Sequence, residues 1–344
     1  MPISLAAMSA IPPDQVLRIL GLHAAGRADA PTGGMSGSTL TRAVTDDGEP
    51  VIVKMSGFDS GAARDQAHRE LAVYTEIAPE HAIPTPRLIA YHRATTWIAI
   101  ALACHDPAPP APEWNADDWS AFARALARLH RDVHPVPTIF HRKHSTPTDP
   151  QGGLKSFAER LWHGPGDPER IRMVLDDLPL LEEVASCRPV SFVHGDCHIG
   201  NVLTADRQFV LVDWQSARVG PSAADLAFTF TRAVPTGAAI PRDNAVAAYC
   251  DEAGVDVAQT DQQITAHQIL TLVRQYPEFA GILDQAEVDR LRNGLDELLG
   301  RWRSRRRSWD SGVRRVLSGP GDGPGRSISA VKAPGATGRS RPEP

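Results

Sequence analysis

Apolar residues fall in two patterns along this chain. Up to about residue 102 they gather in short runs bounded by turn-forming residues, namely Val51-Ile52-Val53-Lys54, Arg87 to Tyr91 and Trp97 to Leu102, which predicts strands. Residues 33–44 lead directly into an extended segment, Asp46-Asp47-Gly48 reads as a hairpin turn, and one helix is expected from about Gly61 to Ile77. From Trp119 onward the apolar positions recur at helical spacing. Helices are expected over Trp119 to Val133 and at about 168–186, 222–232, 243–253, 260–275 and 285–308. A buried strand, Val190 to Val193, and a hairpin, Val202 to Thr204 with Phe209 to Val212, interrupt them. The pattern predicts an α+β chain of two lobes. A small N-terminal lobe (1–103) with a five-stranded antiparallel sheet precedes a Pro-rich hinge (104–112) and a larger, mostly helical lobe (113–310).

Composition narrows this picture. At 344 residues and 42% hydrophobic the chain can bury a sizeable core, and no apolar run approaches twenty residues. The first residues carry neither the basic start nor the apolar stretch of a signal peptide, so a cytoplasmic enzyme without membrane contact is expected. Cys104, Cys187, Cys197 and Cys250 are scattered and form no CxxC pair, which points to reduced thiols rather than a zinc site or disulfide framework. Residues 301–344 hold eleven Lys/Arg against three Asp/Glu, a surplus of eight; against −5 overall this leaves the body at about −13. An acidic body favours cationic ligands. The basic tail, 311–344, is rich in Gly, Pro, Ser and Arg from about Ser318 and is expected to be disordered. The Arg303 to Arg315 cluster could touch phosphates of RNA or acidic lipids, but a solvated helix end and loose tail is the plainer reading.

The candidate chemistry centres on His194-Gly195-Asp196-Cys197-His198-Ile199-Gly200-Asn201 and, twelve residues later, Asp213-Trp214-Gln215. Gly195 permits a tight turn at a strand end that aims Asp196 outward. The predicted hairpin returns Asp213 beside Asn201, and an amide oxygen with a carboxylate suits a hard cation such as magnesium. The spacing of Asp196 to Asn201 is that of the protein-kinase catalytic loop, in which the Asp takes the hydroxyl proton and the Asn holds a metal. His198 could bond a phosphate oxygen or brace the loop. Upstream, Gly33, Gly34, Ser36, Gly37 and Ser38 form a candidate phosphate-covering loop, Lys54 ends a strand in the manner of the VAIK lysine, and Glu70 is its expected ion-pair partner. Arg69 and Glu76 read as solvated face, His130 as a core or capping histidine, and Cys197 as a bystander.

Ala127-Arg128-Leu129-His130, the HGDxHxxN loop, Val212-Asp213-Trp214 and Pro221-Ser222-Ala223-Ala224-Asp225-Leu226-Ala227 together resemble the aminoglycoside phosphotransferase and choline kinase group of kinase-like small-molecule phosphotransferases. The resemblance spans roughly residues 28 to 300. It implies a protein-kinase-like bilobal fold with Asp196 as general base, Asn201 and Asp213 as magnesium ligands, and Lys54 with Glu70 ordering ATP, with GTP the other candidate nucleotide. Asp225 is expected to hold the catalytic loop through backbone bonds. Asp213-Trp214-Gln215 in place of DFG, and the lack of an APE segment, disfavour a protein kinase.

The expected reaction is transfer of the ATP γ-phosphoryl to a hydroxyl of a small polar molecule, first an aminoglycoside or similar cationic antibiotic. A metabolic acceptor such as choline, homoserine, a methylthiopentose or a sugar is the alternative. For either acceptor Asp243, Asp251, Glu252 and Asp261 are candidate amine contacts, with surface charge the plainer reading of each. A non-catalytic nucleotide-binding protein or a tail-mediated RNA binder is the alternative of another class.

Overall fold

In the computed structural model, residues 11–25, 38–141, 152–206 and 208–317 are described. The chain divides into two units, residues 1–302 and 303–344, and the elements discussed below lie in the first, except that the last helix, Gln285–Leu317, ends in the second.

The N-terminal lobe is built on one antiparallel sheet in the order β1-β2-β3-β5-β4: β1 (His23–Ala24), β2 (Thr39–Val44), β3 (Pro50–Gly57), β4 (Leu88–Arg93) and β5 (Trp97–Ala103). Period-two alternation decides which side chains face where. Val51 and Val53 of β3, with Trp97, Ala99 and Ala101 of β5, pack under α1 (Pro13–Leu20) through Val16 and Leu17. The alternate positions, Ile98, Ile100 and Leu102, face α2 (Gly61–Ala72), whose last turn widens into a π-helical turn over Val73–Ile77. Lys54 is in register with Ile100 and therefore lies on this α2 side. Its face is set by the strand's own periodicity.

The segment read as a linker is more ordered than its prolines suggested. It contains β6 (Asp106–Pro107), which pairs with β8, and a 3-10 turn at Ala111–Glu113. The helical lobe follows: α3 (Ala116–Asp132), opened by an Asn115/Asp118 capping box, then α4 (Gly152–Ala158), α5 (Asp167–Asp176) and α6 (Leu178–Ala185). The single helix expected over 168–186 is thus two, broken at Asp177 ahead of Leu178-Pro179, where proline fits the first turn of a new helix but not an old one's interior. Strand β7 (Val190–Val193) pairs antiparallel with β10 (Arg218–Pro221), and β8 (Val202–Ala205) with β9 (Gln208–Leu211). Helices α7 (Ala223–Ala233), α8 (Arg242–Ala253), α9 (Val257–Arg274) and α10 (Gln285–Leu317) complete the lobe. The last runs past its expected end near 308 and past the proposed tail boundary at 311; the tail from Ser318 lies outside the described residues. Elements α1, β1, α4 and β10 had no counterpart in the sequence reading.

The two lobes share a core. Leu71, Tyr74, Ile98 and Ile100 join one buried cluster with Trp119, Phe122, Phe192, Trp214 and Phe230. A second cluster, including Trp162, Ile269, Leu295 and Trp302, fills the far end of the helical lobe.

Candidate active site

The catalytic-loop motif occupies the connection from β7 to β8, and its shape follows from one glycine and one buried carboxylate. Gly195 has φ +82°, and a Cβ there would strike the Arg218 guanidinium and the Ser216 carbonyl. Only glycine fits without displacing the backbone that carries the next residue, Asp196. Beneath the loop, Asp225 of α7 is 1% exposed and accepts the backbone N–H of His194 (2.7 Å) and of Gly195 (2.8 Å). His130 Nε2 lies 3.1 Å from the same carboxylate, and its Nδ1 lies 2.8 Å from the Tyr249 hydroxyl. Burial alone would raise the Asp225 pKa. The His130 bond and charge, the nearby His194 and the Gly195 N–H outweigh it and hold the carboxyl down at about 2. The expectation that Asp225 rigidifies the loop, and that His130 is a satisfied core histidine, matches this geometry.

His194, 0% exposed, stitches the two halves of the site together. Its Nε2 meets the Val212 carbonyl at 2.9 Å, and its Nδ1 accepts the Asp196 N–H at 3.3 Å. One imidazole thus spans from the residue before Asp213 to Asp196 itself. Its ring centroid is 4.5 Å from that of Trp214. The Asn201 N–H donates to the His198 carbonyl (2.8 Å), and the Asn201 carbonyl accepts the Val212 N–H (3.0 Å). Its amide Nδ2 donates to the Asp196 carbonyl at 2.9 Å, which leaves Oδ1 as the group able to ligate a cation.

Asp196 has a side chain 39% exposed, with His198 Nε2 4.0 Å from its Oδ2. The His198 Nδ1 accepts the Gly200 N–H at 3.1 Å, capping the 3-10 turn Ile199–Asn201, so the other nitrogen carries the proton. Burial lowers the His198 pKa against the opposing pull of Asp196, which favours the neutral ring. Bracing is therefore the part of its expected role that the geometry displays directly. Cys197 is buried, and burial together with the Asp225 charge pushes its thiol well up, so it is no nucleophile.

Asp213 follows β9 in a left-handed backbone conformation, φ 65° and ψ 57°. Lys54 Nζ bonds both the Glu70 carboxylate at 2.8 Å and Asp213 Oδ1 at 2.8 Å. One ammonium thereby joins β3, α2 and the end of β9. Burial works against the Lys54 charge, but the two carboxylates override it and raise its pKa. Glu70 is fully buried and its pKa is raised by that burial, with Lys54 pulling the other way.

Two neighbours depart from the sequence reading. Arg69 is not solvated face: it is 6% exposed and its Nε donates to the Gln215 carbonyl at 3.1 Å, tying α2 to the turn after Asp213. The helical period already places residue 69 beside Glu70 at the buried edge, but nothing in the sequence named its partner. Ser38 is also turned inward, 2.9 Å from the Ser56 hydroxyl and 3.3 Å from the Gln215 amide, so its hydroxyl is engaged with the protein interior rather than open to a phosphate. Gly33, Gly34, Ser36 and Gly37 lie outside the described residues. Among the described residues no cluster of three or more His, Cys, Asp or Glu could hold a metal. Asn201 and Asp213 nevertheless fit magnesium, which keeps waters and takes substrate phosphates beside one or two protein oxygens.

A two-lobed molecule with a lysine–glutamate pair in its sheet lobe and an Asp/Asn/Asp set below it has the protein-kinase-like fold, and solved structures agree. An amicoumacin kinase solved with AMP-PNP and calcium matches with a TM-score of 0.58 at 13% identity, covering 84% of this chain and 94% of its own. A microcompartment-associated aminopropanol kinase matches at 0.57 and 14%, covering 83% and 94%. An aminoglycoside phosphotransferase from Alicyclobacillus acidocaldarius matches at 0.57 and 15%, covering 88% and 97%. The phosphotransferase enzyme family model matches residues 31–260; the chain belongs to that family and is a small-molecule phosphotransferase. No curated protein matches it in sequence. Among the described residues no helix is long and apolar enough to cross a membrane.

Proposed function

We propose that this protein transfers the γ-phosphoryl group of ATP, with magnesium, to a hydroxyl of a small polar molecule. The observation that carries the reading is the doubly bonded Lys54 ammonium, 2.8 Å from Glu70 and 2.8 Å from Asp213, together with a loop that presents Asp196 to solvent. Lys54, held by Glu70, meets the nucleotide phosphates. Asn201 Oδ1 and the Asp213 carboxylate would hold magnesium, which when bound supplies charge neutralisation on the phosphates. Asp196 accepts the proton of the attacking hydroxyl and aims its oxygen, while neutral His198 keeps the loop in shape and offers an N–H toward the transferred group. Positioning and electrostatics then supply most of the acceleration. Ser38 serves as a brace between β2, Ser56 and Gln215.

Two acceptor readings have support. Structural neighbours named for amicoumacin, aminopropanol and ethanolamine favour an amine-bearing acceptor, an aminoglycoside or similar antibiotic among them. The ion pairs of the helical lobe favour a metabolic hydroxy compound instead. Asp243 is paired with Arg301, Glu252 with Arg128 and Arg131, and Asp261 with Arg242, so three of the four carboxylates read as amine contacts are already neutralised. The test is a magnesium- and ATP-dependent ADP-release screen over aminoglycosides, choline-like amines, sugars and hydroxy acids. Folded Asp196→Ala and Asp213→Ala variants that turn over like the wild type would refute the assignment.

A further inference from the structure

The face of α7 that leads away from the catalytic loop carries a cation. Phe228 and Arg232 stand one turn apart on this helix and so share a side of it. The Phe228 ring is 6.3 Å from the His198 ring, whose Nε2 is in turn 4.0 Å from the Asp196 carboxylate. Continuing along the same face by one turn reaches Arg232, half-buried. Its charge is felt at the loop, where after burial and Asp196 it is the next influence on the His198 imidazole.

The guanidinium is held in place, and among the described residues it has no counter-ion. Its central carbon lies 5.4 Å over the Phe279 ring, in the 3-10 turn Tyr276–Phe279, and the Tyr276 hydroxyl donates to the Thr231 carbonyl at 2.9 Å, pinning that turn to α7. Six arginines of this lobe, Arg128, Arg131, Arg170, Arg242, Arg292 and Arg301, each have a carboxylate partner. Arg232 has none within ion-pair distance among the described residues. The guanidinium also hydrogen-bonds the Tyr276 hydroxyl, and a stacked group of this kind keeps further N–H donors, their rotamer cost already met, for the oxygens of a carboxylate or phosphate.

We propose that Arg232 is the acceptor-selecting residue, taking an oxyanion, carboxylate or phosphate, on the same molecule whose hydroxyl meets Asp196. The proposal rests on the phosphotransfer reading above and narrows its substrate class: the acceptor is a hydroxy acid or phosphorylated hydroxy compound, whatever amine it also bears. A polycation without such a group would meet repulsion at this position.

The experiment uses matched hydroxy compounds that differ only in the acid: homoserine against homoserinol, glycerate against glycerol, and glucose 6-phosphate against glucose, with kanamycin as the polycation. ADP release is followed for the full-length wild type, Arg232→Gln and Arg232→Lys, and binding of each compound to the AMP-PNP- and magnesium-loaded protein is measured by calorimetry. The expected result is an acid preference in the wild type of about tenfold or more in kcat/KM, the size of a charge-assisted hydrogen bond. Arg232→Gln should lose it through an acceptor KM raised about 10–100-fold, with the KM for ATP unchanged, and Arg232→Lys should recover part. The carboxylate and phosphate pairs separate the two oxyanions. Equal use of acid and neutral members, better use of kanamycin, or an acid preference that survives Arg232→Gln overturns the proposal, as does the lack of any Arg232-dependent binding. Arg232-dependent binding without Asp196-dependent ADP release would keep this inference and defeat the phosphotransfer reading. Asp196-dependent release without acid preference would do the reverse.

Discussion

Glu70 and Asp225 are both carboxylates 1% exposed, each facing a cationic or hydrogen-bonding partner, yet they sit in networks of opposite kind. Asp225 spends its oxygens on two backbone N–H groups and an imidazole, all from within the helical lobe, and its pKa falls to about 2. Glu70 has one strong partner, Lys54, which it shares with the partly exposed Asp213, and burial raises its pKa. The Asp225 network is closed and satisfied by the protein alone. That of Glu70 ends on a carboxylate that faces the cleft. A carboxylate in the first kind of network stabilises the fold, whereas one in the second keeps charge in readiness for a ligand.

Substitutions at the two networks should therefore separate activity from stability. The largest effect is expected at the open end: Asp196→Ala should lower kcat by about 10²–10⁴-fold, while its urea midpoint stays near wild type because the side chain is 39% exposed. Next comes the closed network, where Asp225→Ala strands two N–H groups and an imidazole and should cost about 3–5 kcal/mol in urea unfolding at pH 7. An Asp225→Ala protein that loses turnover yet unfolds like the wild type would erase the distinction.

Acid sharpens the same contrast. The folded Asp225 pKa, about 2, lies below its ordinary 3.8, so its stabilising contribution is complete above about pH 4 and drains as pH falls through 2. Roughly 2 kcal/mol should go this way, and an acid titration of the unfolding free energy should show that slope lessened in Asp225→Asn. The smallest expected difference lies within the open network. Double-mutant cycles on unfolding should give a Lys54–Glu70 coupling of about 1–3 kcal/mol and a Lys54–Asp213 coupling below about 1 kcal/mol, because Asp213 is 29% exposed and water screens the second pair. Equal couplings would mean that Asp213 belongs to the fold as much as Glu70 does.

The parts of the site legible in the sequence were those carried by short-range geometry. The Val202 to Val212 hairpin, the strand ending in Lys54 and the helix bearing Glu70 all follow from local pattern, and the structure brings their polar residues together as that pattern required. What escaped was set by tertiary contact. Arg69 looks like surface charge until the turn after Asp213 is placed against α2. His194 is one letter of a motif, and its span from Val212 to Asp196 exists only once the end of β9 is brought against the loop after β7. The inward turn of Ser38 depends on Ser56 and Gln215, the latter 177 residues away. The ion pairs of Asp243, Glu252 and Asp261 were hidden for the same reason, since the arginines that meet them come from other helices.

The backbone at Asp213 limits what this family member can become. Left-handed φ/ψ suits glycine, asparagine and aspartate and penalises most other side chains. Of those three, only aspartate also brings a negative oxygen. The requirements of conformation and of charge overlap at a single amino acid, so even glutamate, which keeps the charge, would be rejected on conformational grounds. Drift at this position is closed off twice over, by two demands that have nothing to do with each other.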